Sequence, residues 1–227
     1  MAATTSSRDF GDGTLSRVTR AVYWYLVVGV LTALGCAPTL VLTALLDRSS
    51  GNVLLVPLCL VPAVPVWSAA LFAIGRRHEA DEAGPARTFA RGLRLTARDV
   101  LVLAAPALAL LGVIATSVVH HEAAGVSVGY AAVLVVVGVG VVLWLLQVLL
   151  LCSAFTFRTR DAARLALELM GRHLLPTAGL LALLVVAGAV VFWFGEAVLT
   201  LFVVVWLWFL LRTAQPVLED VRRRFVA

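Results

Sequence analysis

Residues 130–157 read YAAVLVVVGVGVVLWLLQVLLLCSAFTF, a run with no charged side chain. As an α-helix rising about 1.5 Å per residue, it is longer than the roughly 30 Å hydrocarbon core of a bilayer. A helix that is apolar all round belongs in a core or in lipid, so the run reads as a membrane span. The whole chain agrees. Of its 227 residues 62% are hydrophobic and 14% charged, and the mean hydropathy is +1.01. An ordinary soluble domain is about half apolar and about a quarter charged. This composition excludes a soluble enzyme, a disordered tail and a nucleic-acid-binding domain, in spite of a pI near 9.9.

Working outward, further apolar runs occupy residues 21–46, 53–74, 100–119, 174–194 and 197–211, the last reaching to about 214. Only Gly195 and Glu196 separate the final two. Together they are too long for one span and predict a tight helical hairpin. The expected fold is all-α: a polytopic transmembrane bundle of about six spans. A polar N-terminal tail (1–20) precedes the transmembrane domain (21–214), and a basic tail (215–227) follows it. The first run exceeds the core of about 7–15 residues found in a cleaved signal peptide. At Ala33-Leu34-Gly35-Cys36 the leucine lies one position too close to the cysteine for a lipoprotein cleavage box.

All 18 basic residues are arginine. With six spans, the termini and segments 75–99 and 158–173 share one side and carry every arginine except Arg48. Cytoplasmic segments are enriched in basic residues. The expected location is therefore the plasma membrane, multi-pass, with both termini cytoplasmic. The two arginine-bearing segments have helical periodicity. In 85–98, Arg87, Arg91, Arg94 and Arg98 recur along one face while Phe89, Leu93 and Ala97 line another. In 158–173, Ala162, Leu165, Ala166, Leu169 and Met170 oppose Asp161, Arg164, Glu168 and Arg172. Both predict amphipathic helices on the cytoplasmic face, where an anionic inner leaflet attracts arginine. The order span, basic helix, span occurs twice (53–119 and 130–194), as in a parallel internal repeat.

No charged residue falls in the middle of a span. The polar groups there, Thr32, Thr39, Thr43, Ser68, Thr116, Ser117, Gln147, Ser153, Thr156 and Thr200, are expected mostly to bond within or between helices. Gln147 is the candidate intramembrane polar contact. Arg87, Arg91, Arg94 and Arg98 are the candidate contacts for a partner or for lipid. His78, Glu79, Asp81 and Glu82 read as a solvated charge mix. His120, His121 and Glu122, even with Glu196, lack a spacing that would gather around one ion, so no metal is expected. Cys36, Cys59 and Cys152 have neither metal-ligand nor disulfide spacing. Pro57, Pro62 and Pro65 predict a packing kink in the second span. No catalytic set and no cofactor motif is present.

Val64-Pro65-Val66-Trp67-Ser68-Ala69-Ala70-Leu71-Phe72-Ala73, a charged stretch, and then Thr88-Phe89-Ala90-Arg91-Gly92-Leu93-Arg94 resemble the YesL family of bacterial membrane proteins. Arg212-Thr213-Ala214-Gln215-Pro216-Val217-Leu218 and Arg224-Phe225 are similar to the ending of its actinobacterial members. The resemblance covers most of the chain through short motifs. Near position 96 the family pattern has asparagine, where this chain has Thr96. The resemblance implies no defined activity. It implies an accessory part in carbohydrate uptake, with ABC transporter subunits as partners, because such genes are common neighbours of the family. The expected function is thus a non-enzymatic accessory component. The alternative is a small-solute permease acting on its own, with the kinked second span and Gln147 lining its path.

Overall fold

The computed structural model describes residues 14–47, 49–77, 84–155 and 157–225. Among them every regular element is helical: α1 (Thr14–Leu45), a 3-10 turn (Ser50–Asn52), α2 (Leu55–Leu58), α3 (Ala63–Gly75), α4 (Pro85–Val119), α5 (Val128–Ala154), α6 (Thr159–Arg172), α7 (Leu174–Phe194) and α8 (Glu196–Phe225). Helices α1, α4, α5, α7 and α8 are long and apolar enough to cross a membrane. The chain is a multi-pass, all-α membrane bundle.

The run 53–74, expected as one span, is broken. Proline lacks an N–H and clashes with the carbonyl four residues back, and three prolines fall within nine residues here. Tight turns fill the gap between α2 and α3: Leu60 N bonds Pro57 O, Val61 N bonds Leu58 O, and Ala63 N bonds Leu60 O. Pro62 caps α3 and Pro65 sits in its first turn, where no donor is missed. Even so, the segment runs antiparallel to α4 along its whole length. The Leu54 carbonyl lies beside Gly112, Ser68 bonds Thr96 at 2.9 Å, and Phe72 packs against Gly92. From Gly112 back to Gly92, α4 rises about 30 Å. The broken segment therefore covers the depth of a bilayer core without being one helix.

Helix α3 is the centre of the bundle. Ten of its 13 residues are buried, and it packs against α4, α1, α5 and α8. Its all-round hydrophobicity serves protein contact, whereas that of α7, with Leu180 and Ala187 its only buried residues, serves lipid.

Segment 85–98 is not a separate helix on the leaflet surface. No glycine or proline interrupts Arg98-Asp99-Val100, and α4 runs unbroken from Pro85 to Val119. Phe89, on the apolar face expected at the leaflet, is 7% exposed within the core, and on the same side of α4 Gly92 meets Phe72 and Thr96 meets Ser68 of α3. The second amphipathic helix forms as α6, close to its expected bounds, and its apolar face also meets protein. Ala166 and Leu169 cluster with Val148 and Leu151 of α5 and with Val217 and Val221 of α8. That cluster explains a further difference. Residues 215–225, expected as a tail, continue α8, because Val217 and Val221 are fully buried against α5 and α6.

The α7–α8 hairpin forms as expected. Its turn passes through Gly195 at φ 85, a left-handed conformation that glycine adopts without strain. The span hydroxyls largely bond to their own helix: Thr32 to Val28 O, Thr43 to Leu40 O, Thr116 to Gly112 O, Ser117 to Val113 O and Ser153 to Leu150 O. Ser68 crosses to Thr96 of α4, and the buried Thr39 hydroxyl bonds to no protein group.

Candidate functional site at the arginine end

Tertiary contacts gather the arginine-bearing segments at one end of the bundle. Trp24, after Arg17 and Arg20, meets Ala73; Phe72, before Arg76, meets Gly92; Asp99 accepts from Thr159 at 3.3 Å; and His173 meets Asp220. Arg8, Arg48 and the 78–82 charge mix lie outside the described residues.

Two charged features result. The first is the α4 stripe. Arg87, Arg91, Arg94 and Arg98 are all exposed, on the side opposite the face locked against α3. Among the described residues none of the four has an ion-pair partner. From Arg87 to Arg98 the helix rises roughly 16 Å, so the stripe is a rigid ladder of cations.

The second feature was not read from the sequence. A cleft of about 440 Å³ opens between the ends of α3, α5 and α8. Leu71 and Phe72 of α3 and Leu211 and Leu218 of α8 give it apolar walls, while Arg76, Gln215, Glu219 and Arg222 give it polar ones. Positions 211, 215, 218 and 222 recur every three or four residues, so they share one face of α8. That signal was present in the sequence, but it needed α8 to continue past 214.

Beside the cleft, Asp220 accepts from His173 at 3.1 Å and from Arg224 at 3.0 Å. Asp220 and Arg224 lie past the apolar stretch 197–211, and His173 lies just before the apolar stretch 174–194. The hydrogen bond from His173, aided by Arg224, holds the Asp220 carboxyl below its ordinary range. The pair ties the start of α7 to the end of α8.

Gln147 lies elsewhere. It is 1% exposed within α5, and its Nε2 donates to no protein group. It lines neither the cleft nor the apolar cavity of about 210 Å³ between α3, α4, α5 and the α7–α8 hairpin. Trp67 and Trp206 bound that cavity, edge to face with centroids 6.4 Å apart. His120 caps α4 and His121 follows it, and the Nδ1 of each ring pairs with a carbonyl of the last turn, Thr116 O and Val118 O. The Glu196 side chain is outside the described residues. Thr96, where the resemblance places asparagine, is buried and joins α3 to α4 through Ser68.

No family model, no curated protein and no solved structure matches this chain.

Proposed function

We propose that the chain is a non-enzymatic accessory component of a bacterial plasma membrane, acting through its arginine end on a partner protein. The observation that carries this reading is the α4 stripe. Its opposite face is fixed by Gly92 and Thr96 against Phe72 and Ser68 of α3, so the four arginines are held outward and in register. Charged surfaces of this kind steer and orient an acidic partner. The uneven arginine distribution supports placing this end, with both termini, in the cytoplasm. The resemblance to the YesL family supports a carbohydrate importer of the ABC type as the partner, with anionic inner-leaflet lipid contacting the flanks of the stripe.

A photo-crosslinking amino acid at position 91, in cells expressing a carbohydrate importer of the ABC type, tests the reading. Crosslinks to an importer subunit that vanish when Arg87 and Arg94 become glutamine are expected. Crosslinks to lipid alone would overturn it. The second reading, a permease acting alone, draws support from the unpaired Gln147 amide. Saturable sugar uptake by the lone protein in proteoliposomes, abolished by Gln147→Ala, would establish that reading instead.

A further inference from the structure

Two cavities among the described residues differ in kind. The cavity beside Trp67 and Trp206 is lined by Leu, Val, Ala and Trp, with Thr200 the one hydroxyl residue. It reads as imperfect packing between the hairpin and the core. The cleft at the arginine end is amphipathic. Leu71, Phe72 and Leu218 form an apolar floor, and Arg76 and Arg222 stand over it from different helices.

Neither guanidinium is neutralised. The Arg76 guanidinium rests 4.3 Å from the centroid of the Phe72 ring, which positions it without cancelling its charge. Arg222 has no ion-pair partner among the described residues, although Arg224, two positions on, is paired with Asp220. Glu219 lines the same cleft without bonding either arginine. The charged rim thus carries two cations and one anion, a net single positive charge. Guanidinium groups match phosphate oxygens with paired N–H donors, and a volume of several hundred Å³ suits a small ligand.

We propose that this cleft binds a phosphate ester between Arg76 and Arg222, with the carbon chain of the ester along Leu211 and Leu218. The single net charge favours a phosphodiester over a phosphomonoester dianion. The group can belong to an anionic phospholipid or to a soluble ester. The site stands apart from the α4 stripe and does not depend on the docking reading.

Native mass spectrometry of the full chain tests this, using protein released from nanodiscs of phosphatidylcholine with a minor share of phosphatidylglycerol. One retained phosphatidylglycerol per chain is expected. Arg76→Gln and Arg222→Gln should each weaken retention about tenfold, the scale of one lost charge-assisted hydrogen bond. Glu219→Gln should strengthen it. Arg223→Gln, which removes the same charge from an exposed position outside the cleft, should stay within about twofold of the unaltered chain. Glycerophosphoglycerol, the same diester without acyl chains, is then added as competitor. Displacement identifies a soluble ester as sufficient, and persistence identifies the lipid as the ligand; both support the site. The proposal is overturned if neither compound binds. It is equally overturned if Arg76→Gln and Arg222→Gln bind as the unaltered chain does, or if Arg223→Gln loses as much as they do.

Discussion

The indole Nε1 of Trp24 donates to the carbonyl oxygen of Ala73 at 3.2 Å, joining α1 to the last turn of α3. Helix ends leave four carbonyls without intrahelical donors. At the end of α3, Phe72 O is taken by Arg76 N and Ile74 O by Arg77 N, and Ala73 O is left for Trp24. Trp24 is 3% exposed, so the bond is made away from water. Trp144 and Trp206 also donate across helices, but to carbonyls within α6 and α7, Ala163 O and Leu183 O, rather than at a helix end. Trp24→Phe keeps most of the ring but strands the carbonyl, at a cost of about 1–3 kcal/mol. A lowered melting temperature in detergent is expected; an unchanged one would remove the bond from the account of stability.

Gly92 and Gly140 make a matched pair. A Cβ at Gly92 would fall 2.9 Å from Cδ1 of Phe72, whereas a Cβ at Gly140 meets nothing within 4 Å. Phe72 is 5% exposed and cannot yield freely. Gly92→Ala gains about 1 kcal/mol of helix propensity but loses about 1–3 kcal/mol to overpacking, and so destabilises. Gly140→Ala keeps the gain alone and should raise the melting temperature. If both variants shift in the same direction, close α3–α4 contact at Gly92 is disproved.

Gln147 carries an amide whose Nε2 is buried without a protein partner. Replacing an unpaired buried polar group with an apolar one of similar size removes a penalty of about 1–3 kcal/mol. Gln147→Leu is therefore expected to raise thermal stability. A marked fall would mean that the amide is engaged in the membrane, and would favour the permease reading.

Much of the fold was legible because apolar length alone specifies a membrane helix. The runs at 130–157 and 174–194 became α5 and α7 with small shifts at their ends. The proline-rich run 53–74 was legible as kinked, but not as the buried centre of the bundle. Hydropathy cannot distinguish a helix facing lipid from one facing other helices, since both surfaces are apolar. The same ambiguity hid the fate of Phe89. Its periodicity marked an apolar face, and only Gly92, by admitting Phe72, decided that the face meets α3. Of the candidate site, the arginine stripe was legible from spacing, whereas the cleft required three chain segments to meet.

The His173–Asp220 contact gives a pH dependence with a definite sign. The Asp220 carboxyl is held below its ordinary range in the folded chain, mainly by His173. A carboxylate depressed on folding stabilises above its ordinary pKa, near 4, and loses that contribution as pH falls through the depressed folded value. Asp220→Asn should therefore lower the melting temperature at neutral pH and leave it nearly unchanged well below pH 4. An equal deficit at both pH values would assign the effect to shape rather than charge.

Orientation can be tested at two exposed sites on opposite ends of α4. Arg91 belongs to the arginine end, and Ala123 lies in the turn beyond Val119. Basic residues are retained on the cytoplasmic side, so position 91 should face the cytoplasm and position 123 the exterior. Cys36, Cys59 and Cys152 are first replaced by alanine, and single cysteines are then placed at 91 or 123. An impermeant maleimide applied to intact cells is expected to label position 123 at once, and position 91 only after permeabilisation. Because α4 is one continuous helix of 35 residues, about 50 Å long, the two sites cannot share a side while it crosses the bilayer. Labelling at 91 but not at 123 would invert the protein and place the cation ladder and the cleft outside the cell, which the docking proposal could not survive.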